Sequence, residues 1–209
     1  MRFALSISIF AGILLCVLAV AAPAQERSGP DDRREAMMEW HGLAKGRKEF
    51  EVSDPALLPS RLVLAAQQSG CNYKEQINEV PARFINVRPY RFVILFCSRI
   101  VGSHQVFDFS NLQRPRLVEF PFVAHPGGIG TTSDPGWITW NTETGILQAR
   151  SGSDMCPTPG GRHTYQLTDF TRSFVLLRVE IQHPGCGAGE WTTIWDAPQW
   201  SLLTKPKPH

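Results

Sequence analysis

Residues 90–97 read Tyr-Arg-Phe-Val-Ile-Leu-Phe-Cys, and this stretch carries most of the information about the fold. Pro89 precedes it and polar residues follow it, so its length is that of one strand. Continuous apolarity over so short a run predicts a strand whose two faces are both covered. We therefore expect residues 90–97 to form the central strand of a sheet.

The rest of the chain repeats a strand–turn–strand pattern, with starts about 27 to 31 residues apart. Each unit joins two short apolar runs through a turn with Asp or Asn near its start. The paired runs are 106–109 with 116–120, 137–140 with 146–149, 165–168 with 174–177, and 192–195 with 200–203. A single hairpin of this size cannot bury its own face, so consecutive hairpins must pack together. The sequence predicts an all-β fold, an antiparallel meander of stacked hairpins that forms a sandwich, a barrel or a truncated propeller-like stack.

In two segments, the sequence pattern also predicts where the strand lies in its sheet. Residues 117–122 contain Pro121, which demotes the segment to an edge strand. Residues 173–182 alternate most regularly. Their pattern predicts one buried face, made of Val175, Leu177, Val179 and Ile181, and one wet face, ending in Arg178, Glu180 and Gln182.

Residues 1–24 have the order of a secretory signal peptide. Arg2 is followed by the apolar stretch Phe3–Val20 and by Ala22-Pro23-Ala24, which predicts cleavage after Ala24. The protein is then periplasmic or secreted, with no membrane span after cleavage. A retained membrane anchor is the open alternative, because the apolar stretch is just long enough to cross a bilayer.

The mature chain divides into two parts. Residues 25–59 are predicted to be a polar lead-in with a short N-terminal helix from Asp32 through Trp40, stopped by Gly42 and Gly46. Strand-like patterns begin at about residue 60, so residues 60–205 are expected to form a single disulfide-bearing β domain.

Four cysteines remain after signal cleavage, at positions 71, 97, 156 and 186. An even number in an exported chain indicates two disulfides, and four cysteines allow three pairings. We expect neighbours to pair, as Cys71–Cys97 and Cys156–Cys186. No two cysteines have C-x-x-C spacing and no histidine pair has ligand spacing, so we predict no metal and no cofactor.

Charge argues against a nucleic-acid partner. The 21 basic and 19 acidic residues leave a formal charge of +2, and they are scattered along the chain. A binder of DNA or RNA needs a concentrated positive surface, so that class is excluded.

Tryptophan is concentrated in the C-terminal half, where five of the six lie at or after position 137. Regular alternation places Trp191, Thr193 and Trp195 on one side of a strand, with the two rings about 13 Å apart. Exposed, these rings would form a platform for stacking sugars; buried, they would anchor the core. Trp191, Trp195, Trp200 and Trp137 are the candidate ligand-binding residues. Trp137 and Trp140 should lie on opposite faces.

The order of motifs in residues 137–200 is more specific than any single motif. It runs Trp140-Asn-Thr-Glu-Thr-Gly-Ile-Leu147, Asp154-Met-Cys156, Tyr165, Phe174-Val-Leu-Leu177, Cys186-Gly187 and Trp191-Thr-Thr-Ile-Trp195. This order resembles the C-terminal half of an exported proteobacterial family catalogued only as a domain of unknown function. The resemblance implies an exported, disulfide-bearing β protein and supports the Cys156–Cys186 pair. It implies no activity and no catalytic residue.

A search for catalytic residues yields little. Ser103, His104 and Asp108 supply the residue types of a hydrolytic triad, but adjacent residues on a strand face opposite ways and cannot bond each other. Carboxylate pairs such as Glu180 with Glu190, or Asp154 with Asp169, would suit glycoside cleavage. Any chain with this many acids offers such pairs.

The sequence therefore predicts an exported, non-catalytic binding protein of the bacterial envelope. Its partner would be an envelope or host protein, for example a hydrolase that it inhibits, or a cell-wall glycan. One alternative is an envelope glycan hydrolase with an unidentified carboxylate pair. Another is a purely structural envelope protein.

Overall fold

A computed structural model of the chain describes residues 29–87, 89–98, 102–124, 128–151, 160–168, 173–183 and 189–198. The helices in these ranges are α1 (Pro30–Ala44) and α2 (Ser60–Gln68), with short 3₁₀ turns at Pro55–Leu57 and Tyr73–Glu75. The strands are β1 (Glu49–Val52), β2 (Ala82–Val87), β3 (Tyr90–Ser98), β4 (Ser103–Asp108), β5 (Arg116–Leu117), β6 (Phe120–Ala124), β7 (Gly128–Thr132), β8 (Trp137–Asn141), β9 (Ile146–Ser151), β10 (Gly160–Leu167), β11 (Phe174–His183) and β12 (Glu190–Asp196). The predicted signal peptide, Cys156, Cys186 and Trp200 lie outside the described residues.

Strand order follows chain order. Within the described ranges, β1 to β5 form one five-stranded sheet, the N-terminal sheet, and β8 to β12 form another, the C-terminal sheet. A separate two-stranded sheet is made of β6 and β7. All pairings are antiparallel, so the fold is the predicted antiparallel meander with a short N-terminal helix, and its described strands form no closed barrel.

The segment 90–97 takes the central place predicted for it, because β3 is the middle strand of the N-terminal sheet. Its side chains alternate between two cores. Val93 and Leu95 belong to a core that the helices cover, whereas Phe92 and Ile94 belong to a second core that includes residues of the C-terminal sheet. Burial on both faces explains why this strand carries so few polar residues.

The helix-side core is centred on Trp40 of α1, which is 2% exposed. Its ring lies 6.3 Å from that of Phe50, 6.0 Å from Phe84 and 5.5 Å from Phe109, measured between centroids. These contacts fix α1 against one face of the N-terminal sheet. None of the helices in the described ranges is both long and apolar enough to cross a membrane.

The helical content exceeds the prediction. Helix α1 begins at Pro30 and continues through Gly42 to Ala44, and it ends at Lys45, whose φ of 46° is left-handed. Burial of Trp40 and Ala44 outweighs the roughly 1 kcal/mol that a glycine costs inside a helix. Helix α2 occupies the start of the region expected to be strand-like, because Leu62 and Ala66, one turn apart, are both fully buried.

The predicted Cys71–Cys97 disulfide is confirmed. It joins the segment that follows α2 to the end of β3, across a sequence separation of 26 residues. In the chain-entropy model, closing a loop of this size stabilises the fold by roughly 3 kcal/mol. The bridge therefore ties the helical layer to the central strand.

The second core lies between the two large sheets. Its C-terminal members are inward-facing side chains of β8 to β11. They include Ile138, Trp140, Leu147, Ala149, Tyr165, Phe174, Leu176 and Val179. The opposite side of the C-terminal sheet, here called the outer face, carries residues such as Thr139, Gln148, Arg150 and Arg178, all of them exposed.

Candidate functional site

A β-bulge in β11 shapes the outer face. Thr164 pairs with Arg178 and Tyr165 pairs with Leu176, so Leu177 is an extra residue between them. The prediction that Leu177 shares a buried face with Val179 is therefore wrong. Val179 is 1% exposed in the inter-sheet core, whereas Leu177 lies beside Arg178 on the outer face, since a bulge interrupts the alternation of sides.

A second bulge changes the direction of the tryptophans on β12. Val179 pairs with Trp195 and Glu180 pairs with Thr193, which leaves Ile194 as the extra residue. Trp195 consequently packs against the inter-sheet core, while Trp191, opposite Gln182, stays on the outer face. The predicted common platform of Trp191 and Trp195 is wrong, because the bulge separates their rings onto opposite faces.

Trp191 is half-buried, and two arginine side chains lie over its ring. The guanidinium carbon of Arg162 is 4.5 Å from the ring centroid, and that of Arg150 is 5.6 Å from it. The ring also lies against β10, since a Cβ atom at Gly160 would be 3.5 Å from it, an ordinary contact distance. Cation–π attraction of this kind holds guanidinium groups against the indole face.

Two arginine–carboxylate pairs continue from Trp191 across the outer face. Arg162 donates from Nε to Glu180 Oε2 at 2.7 Å and from Nη2 to Oε1 at 2.8 Å, which is a two-bonded fork. Arg178 donates from Nε to Asp196 Oδ1 at 2.6 Å. The first pair is largely buried and the second is half-exposed. Such forks fix the planes of both partners.

These pairs border a concavity of about 510 Å³. Its lining combines charged, neutral polar and apolar groups: Gln148, Arg162, Thr164, Leu177, Arg178, Glu180, Asp196 and Ala197. A concavity with a few fixed polar groups beside an aromatic ring is typical of small-molecule sites. The extra residue Leu177 supplies its apolar floor.

The electrostatics of the site favour binding over acid catalysis. The two hydrogen bonds from Arg162 hold the pKa of Glu180 below its ordinary value, and Glu180 raises the pKa of Arg162 in return. A general acid needs the opposite, a carboxyl group whose pKa is raised. Glu180 is thus a fixed hydrogen-bond acceptor.

The other candidate catalytic residues are not brought together. Glu190 is exposed opposite His183 at the start of β12, and Asp154 and Asp169 lie outside the described residues. Ser103 donates to Asp134, whereas His104 accepts from the Ile138 amide, so the two do not bond each other, as predicted. Burial lowers the pKa of His104 to about 4.

Trp137 is 45% exposed, and Trp140 is buried on the opposite side of β8, as expected. The Trp137 ring contacts Phe96 at 5.4 Å and His104 at 4.7 Å, both in the N-terminal sheet. Trp137 therefore packs at the junction of the sheets and not against the Trp191 ring. Trp200 lies outside the described residues.

Sequence reasoning missed the arginines and Asp196 as site residues. The available signal was the run of polar residues at alternate positions of the later strands, notably Gln148 with Arg150 and Arg162 with Thr164. In the described part of the chain, no group of three His, Cys, Asp or Glu side chains could hold a metal ion.

No known protein supplies a function by comparison. The chain matches no protein-family model and no curated protein, and the structure matches no solved structure. The resemblance of residues 137–200 to an exported family therefore stays a prediction.

Proposed function

We propose that this protein is a non-catalytic glycan-binding protein of the bacterial envelope, and that the outer face of its C-terminal sheet is the binding surface. The envelope location is part of the proposal and comes from the signal peptide predicted in residues 1–24. The observation that carries the proposal is the Trp191 ring under the guanidinium groups of Arg150 and Arg162. Arg162 also lines the concavity bordered by Glu180 and Asp196.

The chemistry of the surface matches that of a sugar. A pyranose ring has an apolar face that packs on an indole, and its hydroxyls both donate and accept hydrogen bonds. Glu180 and Asp196 offer acceptors, while Arg162 and Arg178 offer donors. Because each arginine is already bonded to a carboxylate, these groups are positioned before a ligand arrives.

The non-catalytic part of the proposal rests on Glu180. Its lowered pKa keeps it ionised at neutral pH, so it has no proton to give to a glycosidic oxygen. We expect incubation with peptidoglycan to release no new reducing ends. Release that stops in Glu180→Gln would favour the hydrolase alternative instead.

The direct test is co-sedimentation of the purified protein with isolated peptidoglycan, followed by titration with soluble glycan fragments. We expect Trp191→Ala to weaken binding by about tenfold, the loss of one well-placed stacking contact. Met38→Ala is the matched control, since its exposed apolar side chain is on α1, in the helical layer on the other side of the N-terminal sheet. Equal binding by wild type and Trp191→Ala, with both variants folded by circular dichroism, would contradict the proposal.

A protein partner is the second candidate, and the β6–β7 hairpin favours it. Ile129 on β7 is 82% exposed, and β7 pairs with no described strand other than β6. Exposed strand edges with apolar side chains are common sites of strand addition by a partner. If a single protein is captured from the envelope in stoichiometric amount, and Ile129→Ser abolishes capture while Trp191→Ala does not, this candidate replaces the first.

A further inference from the structure

The arrangement of arginines on the outer face is unusual for a sheet. Arg150 on β9 and Arg162 on β10 are directly opposite each other in the register. Like charges at such positions repel and destabilise the pairing. Both guanidinium groups nevertheless lie over the same ring, that of Trp191.

Only one of these two arginines is neutralised. Arg162 is bonded to Glu180, and Arg178 further along is bonded to Asp196. Arg150 is exposed, and no carboxylate of the described residues pairs with it. Its cross-strand neighbours, Trp137 and Arg162, are uncharged and basic, so within the described residues one positive charge beside Trp191 has no acidic partner.

Arg150 is also free to engage a ligand. Its guanidinium lies farther from the Trp191 ring than that of Arg162, at 5.6 Å against 4.5 Å, and it is held by no carboxylate of the described chain. It can therefore turn toward an incoming anion while the Arg162–Glu180 fork stays intact. A guanidinium binds a carboxylate through two parallel hydrogen bonds, a geometry that a hydroxyl cannot match.

We propose that the glycan recognised by this protein bears carboxylate groups, and that Arg150 is the residue that selects them. The sugar ring packs against Trp191, its hydroxyls meet the two arginine–carboxylate pairs, and its carboxylate binds Arg150. This inference rests on the proposed glycan binding. It specifies, in addition, that the ligand is negatively charged and that Arg150 binds the charge.

The test compares an oligogalacturonate with the same oligosaccharide after its carboxyl groups have been reduced to alcohols. By titration calorimetry, we expect wild type to bind the acidic form about tenfold more tightly, the effect of one charge-assisted fork. In Arg150→Gln this ratio should fall to about one, whatever the change in affinity for the reduced form. Arg150→Lys, which keeps the charge and loses the fork, should retain part of the ratio.

The matched control is Arg34→Gln, which removes an equal charge from an exposed position on α1, in the helical layer. It should keep the wild-type ratio. A wild-type ratio near one, or a ratio that survives in Arg150→Gln, would overturn the inference while leaving glycan binding in place. Failure of wild type to bind either oligosaccharide would overturn the inference, while co-sedimentation with peptidoglycan tests glycan binding itself separately.

Discussion

The two five-stranded sheets have the same strand order and very different surroundings. The N-terminal sheet is covered on both sides, by helices and by the other sheet, whereas the described residues cover the C-terminal sheet on one side only. Burial of charge is costly, so ionised side chains can collect only on an uncovered face. The comparison teaches that the first sheet supports the fold and the second presents the chemistry.

The ion pair between Glu49 and Arg83, at the edge of the N-terminal sheet, differs in its contacts from the ion pairs on the outer face. Glu49 and Arg83 bond each other, but they also bond the β8–β9 hairpin, through Thr142 and the backbone carbonyl of Trp140. Their hydrogen bonds are used within the protein, to join the two sheets. Among the described residues, the pairs on the outer face bond only within the C-terminal sheet.

Removing Trp40 of α1 and, separately, Trp191 of the C-terminal sheet should give the largest difference in stability. We expect Trp40→Ala to lower the free energy of unfolding by about 3 to 5 kcal/mol, because it leaves a cavity among Phe50, Phe84 and Phe109. Trp191→Ala should lower it by only about 1 kcal/mol, the loss of exposed cation–π contacts. Denaturant titration measures both, and equal losses would show that the outer face is part of the core.

The Cys71–Cys97 disulfide should stabilise the fold nearly as much as the Trp40 side chain does. We expect the double variant Cys71→Ala/Cys97→Ala to lose roughly 3 kcal/mol of unfolding free energy, since the bridge no longer restricts the unfolded chain. Cys16→Ala, in the predicted signal peptide, is the control and should change nothing in the mature protein.

Oxidation of Cys156 and Cys186 is tested by mass. The unreduced protein should be lighter than its fully reduced form by two hydrogens per disulfide. A loss of four hydrogens would agree with the second pair, Cys156–Cys186. A loss of two would leave Cys71–Cys97 as the one bridge and contradict the predicted pair.

Acid should weaken the junction of the two sheets through His104. Its folded pKa is about 4, against an ordinary value of 6.5, because it is buried. Between these values only the unfolded chain takes up the proton, so stability should fall by about 2 to 3 kcal/mol as the pH drops from 6.5 to 4. His104→Asn keeps an acceptor for the Ile138 amide and should remove this slope.

The smallest effect is expected on the outer face. Glu180→Gln should cost about 1 to 2 kcal/mol at pH 7, the loss of charged hydrogen bonds from Arg162. Because the folded pKa of Glu180 is lowered, its contribution is present above the ordinary glutamate pKa and lost as the pH falls through the folded value. The stability of Glu180→Gln should therefore not fall over this pH range. Glu143→Gln, which changes an exposed turn, should lose stability there as the wild type does.

Much of the fold was predictable because it depends on which residues are buried, and the pattern of apolar residues along the sequence indicates these. The central strand 90–97 and the pairs 137–140 with 146–149 and 165–168 with 174–177 followed from this signal. The Cys71–Cys97 bridge followed instead from the even number of cysteines and the expectation that neighbours pair. The helix α2 did not, because one short turn-spaced pair, Leu62 and Ala66, is a weak pattern among strand-like neighbours. Burial alone does not indicate where a β-bulge adds a residue to a strand.

The candidate site was therefore only partly predictable. Trp191 was identified, but apolar residues occupy consecutive positions at both bulges, in 174–177 and 194–195, so the sequence does not show which residue is the extra one. Their positions depend on pairing with β10 and β11, which is a property of the folded sheet. Arg150 and Arg162 likewise become neighbours only once the register is set.

The strand order of the two large sheets also bears on how the chain folds. Every described pairing within them joins strands that are neighbours along the chain. Short-range pairings close small loops at little entropic cost and are associated with fast folding. Each sheet can therefore grow one strand at a time from its N-terminal end, so the helix-covered sheet can assemble before the last hairpins have been synthesised.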